Sequence, residues 1–218
     1  MWWETLFANP LALIGLLVSL SLAPFVAIMV TSYVKLVVVM SLIRNALGVQ
    51  QIPPNMVLNG LAIILTIFVM APVGGEMMDI VQRRGMPDSM AQMRELGEEA
   101  AGPLRAFLLA HSEKRERAFF LKSAQVLWPK EKAAHLDEQN LIILVPAFAV
   151  TELTAAFKIG FLLYLPFVAI DLIVSNILLA MGMMMVSPMT ISLPFKLLLF
   201  VLLEGWAKTI HGLLLTYR

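Results

Sequence analysis

The chain contains no cysteine, which rules out a disulfide framework, a thiolate metal site and a cysteine nucleophile, and leaves no mark of a redox compartment. Histidine is scarce too. His111, His135 and His211 are scattered, without the i,i+4 pairing or acidic companions of a metal site, so each reads as an exposed or packed ring and no metal is expected. Charge is sparse at 14% of residues, with a net charge of +1. That balance offers no long-range attraction for a polyanion, and no nucleic-acid partner is expected. There is no Gly-rich phosphate loop, no HExxH and no serine elbow, so the reading assigns no catalytic residue and no cofactor.

What remains is apolar. Hydrophobic residues make up 60% of the 218 and the mean hydropathy is +0.84, outside the range of ordinary soluble chains. The expectation is an all-α protein of membrane-associated helical hairpins. The charges are gathered: between Glu76 and Glu138 lie 10 of the 16 Lys/Arg and 11 of the 15 Asp/Glu. One polar insert therefore separates two apolar halves, giving an N-terminal hairpin over 1–75, a polar helical insert over 76–140 and a C-terminal hairpin over 141–218. The opening MWWETLFANP carries only Glu4, and no A-x-A-like site precedes a polar chain, so no cleaved leader peptide is expected.

The first apolar run, Leu11 to Ile43, would be about 50 Å long as one helix, against a hydrocarbon core of roughly 30 Å. Pro24 is the place to kink it. Gly15, Ser19, Ala23, Ala27 and Thr31 recur at spacing four and continue into Lys35, a stripe that lets a second helix approach closely; small residues are also simply common in membrane helices. Pro53-Pro54 ends one helix and starts the next, Met56 to Val73. In the insert, Asp88 or Ser89 caps SMAQMRELGEEA and Pro103 opens LRAFLLAH. The alternating charges from Glu113 to Arg117 read as a solvated helix face.

The second half opens with Leu141 to Leu165, punctuated by Pro146 and Pro166, and continues in the apolar run from Phe161 to Met181. Ala147, Thr151 and Ala155 repeat the spacing of four. Glu152, Lys158 and Asp171 stand in apolar surroundings, where an unpaired charge is costly. Glu152 and Asp171 are therefore expected to find Lys158, Lys35 or Lys196, within or between chains, or else to line a wet cavity. Glu204 and Lys208 are spaced to pair within one helix. From Asp171 to Trp206 two apolar runs fold back through a turn in which four of the five residues from Met181 to Met185 are methionine. Ser187-Pro188 closes that turn. Flexible, polarizable methionines at a bend serve either as a deformable apolar seal or as filler.

DLIVSNILLAMGMMMVSP followed by ISLPFKLLLFVLLEGW resembles the C-terminal signature of the SctR/FliP family of type III secretion export proteins. SLIRNALGVQQIPPNMVLNGLAIILTIFVMAP resembles that family's N-terminal signature. With FKIGFLLYLPFVAIDL between them, these blocks cover most of the apolar chain. The resemblance implies a subunit of the export gate in the bacterial inner membrane, multi-pass by hydropathy but assembled largely on the periplasmic side. It implies a pentameric ring with SctS-like and SctT-like subunits, beside SctU-like and SctV-like proteins, in contact with lipid and passing unfolded secreted polypeptides. Met183, Met184 and Met185 match the family's methionine gasket. The expectation of no cleaved leader peptide tilts the resemblance toward the injectisome branch (SctR, YscR, HrcR-like). Two other classes compete. A polytopic secondary transporter or ion channel would use Asp171 and Glu152, although no inverted repeats are visible. A membrane scaffold lining no conduit would have no use for an adaptable apolar ring.

Overall fold

The computed structural model describes residues 10–49, 51–85, 87 and 89–218. The segment read for a leader peptide, and Asp88 as a cap, lie outside the described residues. All the described elements are helices: α1 Pro10–Met29, α2 Tyr33–Ala46, α3 Asn55–Arg84, α4 Met90–Ala100, α5 Gly102–His111, α6 Lys114–Leu127, α7 Lys130–Ala133, α8 Leu141–Ala180, α9 Pro188–Leu202 and α10 Gly205–Leu215.

The axis of the fold is α8, whose 40 residues make a rod of about 60 Å. Its buried positions include Leu144, Phe148, Glu152, Ala156 and Gly160, then Phe167 and Val174. A step of four turns the buried stripe by about 40° and a step of seven turns it back by about 20°, so the stripe winds part-way round the rod as it runs along it. Along that stripe lies α2, burying Leu36, Val39, Met40, Ile43 and Ala46. The two apolar halves of the sequence thus share one core, in which Leu58 and Ala62 of α3 and Phe200 of α9 join α2 and α8. A second cluster forms where Phe107 and Leu108 of α5 meet Leu144 and Phe148. It seats the insert against the first turns of α8.

Local chemistry explains the ends. Ser89 caps α4, its Oγ accepting from Gln92 N at 3.2 Å. Pro54 precedes α3, and Arg44 ties the end of α2 to that start by donating to Pro53 O and to Asn55 Oδ1 at 2.6 Å. Pro103 falls in the first turn of α5 and Pro188 in the first turn of α9, where the missing N–H costs nothing.

Three expectations need correction. Pro24 lies inside α1, and the first run breaks instead at Val30 to Ser32, where α1 and α2 diverge by 64°. There the Thr31 hydroxyl back-bonds to Ala27 O at 2.7 Å, and Ser32 is fully buried; such side chains compete with helix continuation. Pro166 does not divide the second half, because α8 passes through it unbroken. One lost hydrogen bond is outweighed there by packing on both sides, with Gly160 against Leu42 and Phe167 against Phe200. The second run also continues past Val73, through Gly74-Gly75, to Arg84.

The single chain exposes 14849 Å². A folded soluble monomer of 24.2 kDa exposes about 10,000 Å². Much of the surplus is apolar: Leu16, Leu17, Leu20 and Phe25 on α1 and Ile64, Ile67 and Phe68 on α3 all face outward. Two helices, α3 and α8, are long and apolar enough to cross a membrane, and the bent pairs α1–α2 and α9–α10 raise the number to four among the described residues.

Candidate functional site

The methionine turn is built by the end of α8. Gly182 has φ +73°, its N–H donates to Leu179 O at 3.0 Å, and Met183 N–H donates to Leu178 O at 2.9 Å. These two bonds make the Schellman closure of a helix, which requires a residue free to adopt positive φ one step past the cap. This is why a glycine interrupts the methionines. With the backbone bonded down, the side chains point away from the chain: Met184 is 82% exposed and Met185 fully so, with Met183 half exposed. None of the three belongs to this chain's own core. Beneath the tip, an open groove of about 400 Å³ runs between α8 and α9, lined by aliphatic and aromatic groups including Ile177, Leu178, Ile191 and Phe195.

Behind the tip, the two stems are clamped by charge. Asp171 on α8 accepts from Lys196 Nζ and from Ser192 Oγ on α9, each at 2.6 Å. The Lys196 ammonium is buried and also donates to Ala46 O at 3.3 Å, the carbonyl end of α2, where a cation is favoured. One lysine thereby fixes the hairpin to α2.

The second buried pair sits toward the other end of α8. Lys35 Nζ donates to Glu152 Oε1 at 2.8 Å, and both side chains are almost wholly enclosed. Glu152 Oε2 accepts from the Tyr217 hydroxyl, and the Lys35 ammonium stands 3.9 Å from the centre of the Tyr217 ring. Burial first, and the Glu152 charge second, push the Tyr217 phenol above its ordinary value, so it stays protonated and donates. Sequence reasoning passed over Tyr217 because an isolated aromatic carries no periodic signal.

A sequence model of the FliP family matches residues 16–213. The chain belongs to the FliP family. It is 56% identical over 206 residues to the Yop proteins translocation protein R of Yersinia pestis, covering 94% of this chain and 95% of that one. The hypersensitivity response secretion protein HrcR of Ralstonia nicotianae is 53% identical over 213 residues, covering 95% and 97%. The virulence protein YscR of Salmonella typhimurium is 48% identical over 213 residues, covering 96% and 97%. This FliP-family chain thus falls with the YscR- and HrcR-named members, the injectisome branch.

The other residues singled out from sequence are spread over the fold. Lys158, Glu204 and Lys208 are exposed in the single chain, and Lys158 reaches only Glu113 at 4.0 Å. Glu204 and Lys208 form no ion pair: Glu204 caps α10 with φ 52° in the break after α9, and its carbonyl, rather than its carboxylate, meets Lys208 by accepting from the backbone N–H at 3.0 Å. Gly15, Ser19, Ala23 and Ala27 face outward on α1, with Thr31 half-buried at its end. Ser19 Oγ donates to Gly15 O at 2.8 Å, which hides its hydroxyl from a neighbour. Ala147 is fully buried within the chain, while Thr151 and Ala155 are half-buried. Thr151 Oγ1 donates to Ala147 O and accepts from Glu113 N at 3.1 Å, holding the start of α6 to α8. The charged face expected from Glu113 to Arg117 is broken by Arg117, which is buried. Its Nη1 donates to Leu109 O, Ser112 O and Ser112 Oγ, and its Nε to Glu138; a planar fork can close off the end of α5 in this way.

Proposed function

We propose that this chain is a core subunit of the export gate of a bacterial type III secretion system, in which several copies surround a path and seal it at rest with Met183, Met184 and Met185. The observation that carries the proposal is the tip itself: three exposed thioethers on a turn closed by the Gly182 and Met183 backbone bonds to the end of α8. An apolar constriction obstructs ions by dewetting, while unbranched thioethers yield to an unfolded polypeptide of varied sequence. The names of the relatives, translocation protein R and secretion protein HrcR, support the same assignment.

The ring is pentameric, joined by SctS-like and SctT-like subunits beside SctU-like and SctV-like proteins. It sits at the bacterial inner membrane with much of its mass on the periplasmic side, and the 76–140 insert lies in the periplasm between the two apolar hairpins. The outward apolar faces of α1 and α3 support a chain that meets copies, partners and lipid on most sides. The chain itself makes and breaks no bond, and energy comes from partners or the membrane potential. A transporter needs an unpaired carboxylate on its pathway, whereas Glu152 and Asp171 are each held by a lysine of the same chain.

Replacing Met183, Met184 and Met185 together by Ala tests the proposal. The measurement is small-solute leakage across the inner membrane, beside the amount of assembled complex. Leakage rises while the complex persists if the methionines seal. Buried packing groups would instead each cost roughly 2 to 5 kcal/mol and the complex would be lost. An assembled triple-Ala complex without leakage overturns the assignment.

A further inference from the structure

Among the described residues, the side chains of α1 do little to fix its direction. Its side chains from Ile14 to Met29 are largely exposed, and it leaves the core at the Val30–Ser32 turn, 64° away from α2. Whatever holds that turn aims the helix. Ser32 is fully buried there with its Oγ unpartnered, and its carbonyl lies 3.5 Å from the Tyr217 hydroxyl. The same hydroxyl donates to Glu152 of α8. The ring lies near-parallel to Phe107 of α5 with centroids 6.1 Å apart, and 5.3 Å from the His111 ring. Lys35, in the first turn of α2, closes the other side over the ring. One side chain therefore touches the turn, α2, α5 and α8 together, combining a charge-assisted hydrogen bond, aromatic packing and a cation–π contact.

We propose that Tyr217 is the positioning residue for α1: it holds the Val30–Ser32 turn and so sets the angle at which the small-residue face of α1 meets a second copy of this chain. The second half of this statement rests on the reading of α1 as an assembly face, the first half does not. The junction is assembled from four elements, so the loss of Tyr217 leaves the turn held by the buried Val30 against Phe107, Leu144 and Phe148 and by the Lys35–Glu152 pair, neither of which fills the space of the ring beside Phe107 and His111.

The absence of native cysteine makes the test direct. Nitroxides placed at Leu20→Cys on α1 and Phe157→Cys on α8, both outward-facing positions, report the angle as a distance distribution by pulsed electron resonance. The labelled full chain is diluted into unlabelled chain, so that only distances within one copy are read, and assembled complex is quantified alongside. Tyr217→Ala is expected to roughly double the width of the distribution and to deplete the complex. Tyr217→Phe, which keeps the ring and loses only the hydroxyl that donates to Glu152 and stands 3.5 Å from Ser32 O, is expected to give an intermediate width. An unchanged distribution in Tyr217→Ala overturns the proposal; if that variant is not recovered, an unchanged distribution in Tyr217→Phe does so. A widened distribution with undiminished complex overturns the link to assembly. Normal assembly of Ala27→Leu beside a widened Tyr217→Ala distribution sinks the assembly-face reading of α1 and leaves Tyr217's hold on the turn standing.

Discussion

Leu42 of α2 lies so close over Gly160 of α8 that a Cβ on the glycine would stand 2.3 Å from Leu42 Cδ1 and 3.1 Å from Leu42 Cβ. The methyl end of leucine can swing aside. Its Cβ cannot, because it is fixed to the α2 backbone, so any side chain at 160 pushes the helices apart.

Gly160→Ala gains about 1 kcal/mol of helix propensity and loses about 1 to 3 kcal/mol to overpacking. A small net loss is expected for Ala and a large one for Gly160→Leu. Leu42→Ala should rescue much of the Gly160→Leu defect, giving a favourable coupling between the two sites. Thermal unfolding of the four proteins in detergent measures it. Absence of rescue would show that the contact does not limit the approach of α2.

Asp171 and Lys196 form an asymmetric pair, with Lys196 at 4% side-chain exposure and Asp171 at 30%. Asp171→Lys sets two cations against each other and should abolish assembly. Asp171→Asn keeps the Ser192 contact and should be milder. It still leaves Lys196 facing the Ala46 carbonyl, so the cost approaches the lower end of the roughly 3 to 5 kcal/mol typical of a broken buried pair. Recovered complex and secretion are measured together. If Asn stops secretion as fully as Lys does while the complex is intact, Asp171 carries protons and pairing is not its whole role.

The Tyr217 phenol is raised above its ordinary value by burial and by Glu152, so the folded state favours the protonated form. Its contribution is fully present below the unfolded value of about pH 10 and is lost as pH climbs beyond it. The stability advantage of wild type over Tyr217→Phe should be flat below about pH 10 and shrink above it. Parallel unfolding curves for the two proteins across the alkaline range would contradict this.

Ala23→Leu or Ala27→Leu should lower the yield of assembled complex without affecting the fold of the single chain, since both positions face outward on α1. Pull-down of the tagged chain reads assembly and circular dichroism reads the fold. Normal amounts of complex with either bulky residue would make the stripe incidental.

The methionine tip was legible because every signal there is local: a glycine just past a long apolar run, then Ser187-Pro188 at the start of the next. The lysine–carboxylate pairs were legible as a need, since Glu152 and Asp171 required cations, but not as assignments, because 117 residues separate Lys35 from Glu152 and spacing says nothing across that distance. The continuity of α8 through Pro166 was hidden for the opposite reason. Proline is a strong local signal, and there the packing of Gly160 and Phe167 overrides it. Arg117 sat inside an alternating charge run whose average character is solvated; only the carbonyls at the end of α5 single it out.

Because α8 is unbroken from Glu152 to the Gly182 cap and is clamped to α2 at both the Lys35–Glu152 and the Asp171–Lys196 pairs, the thioethers stand at the end of a rod pinned at two points. A partner seated on α5 or α6, which lean on the opening turns of α8, and one seated at the thioethers would therefore meet opposite ends of the same rod.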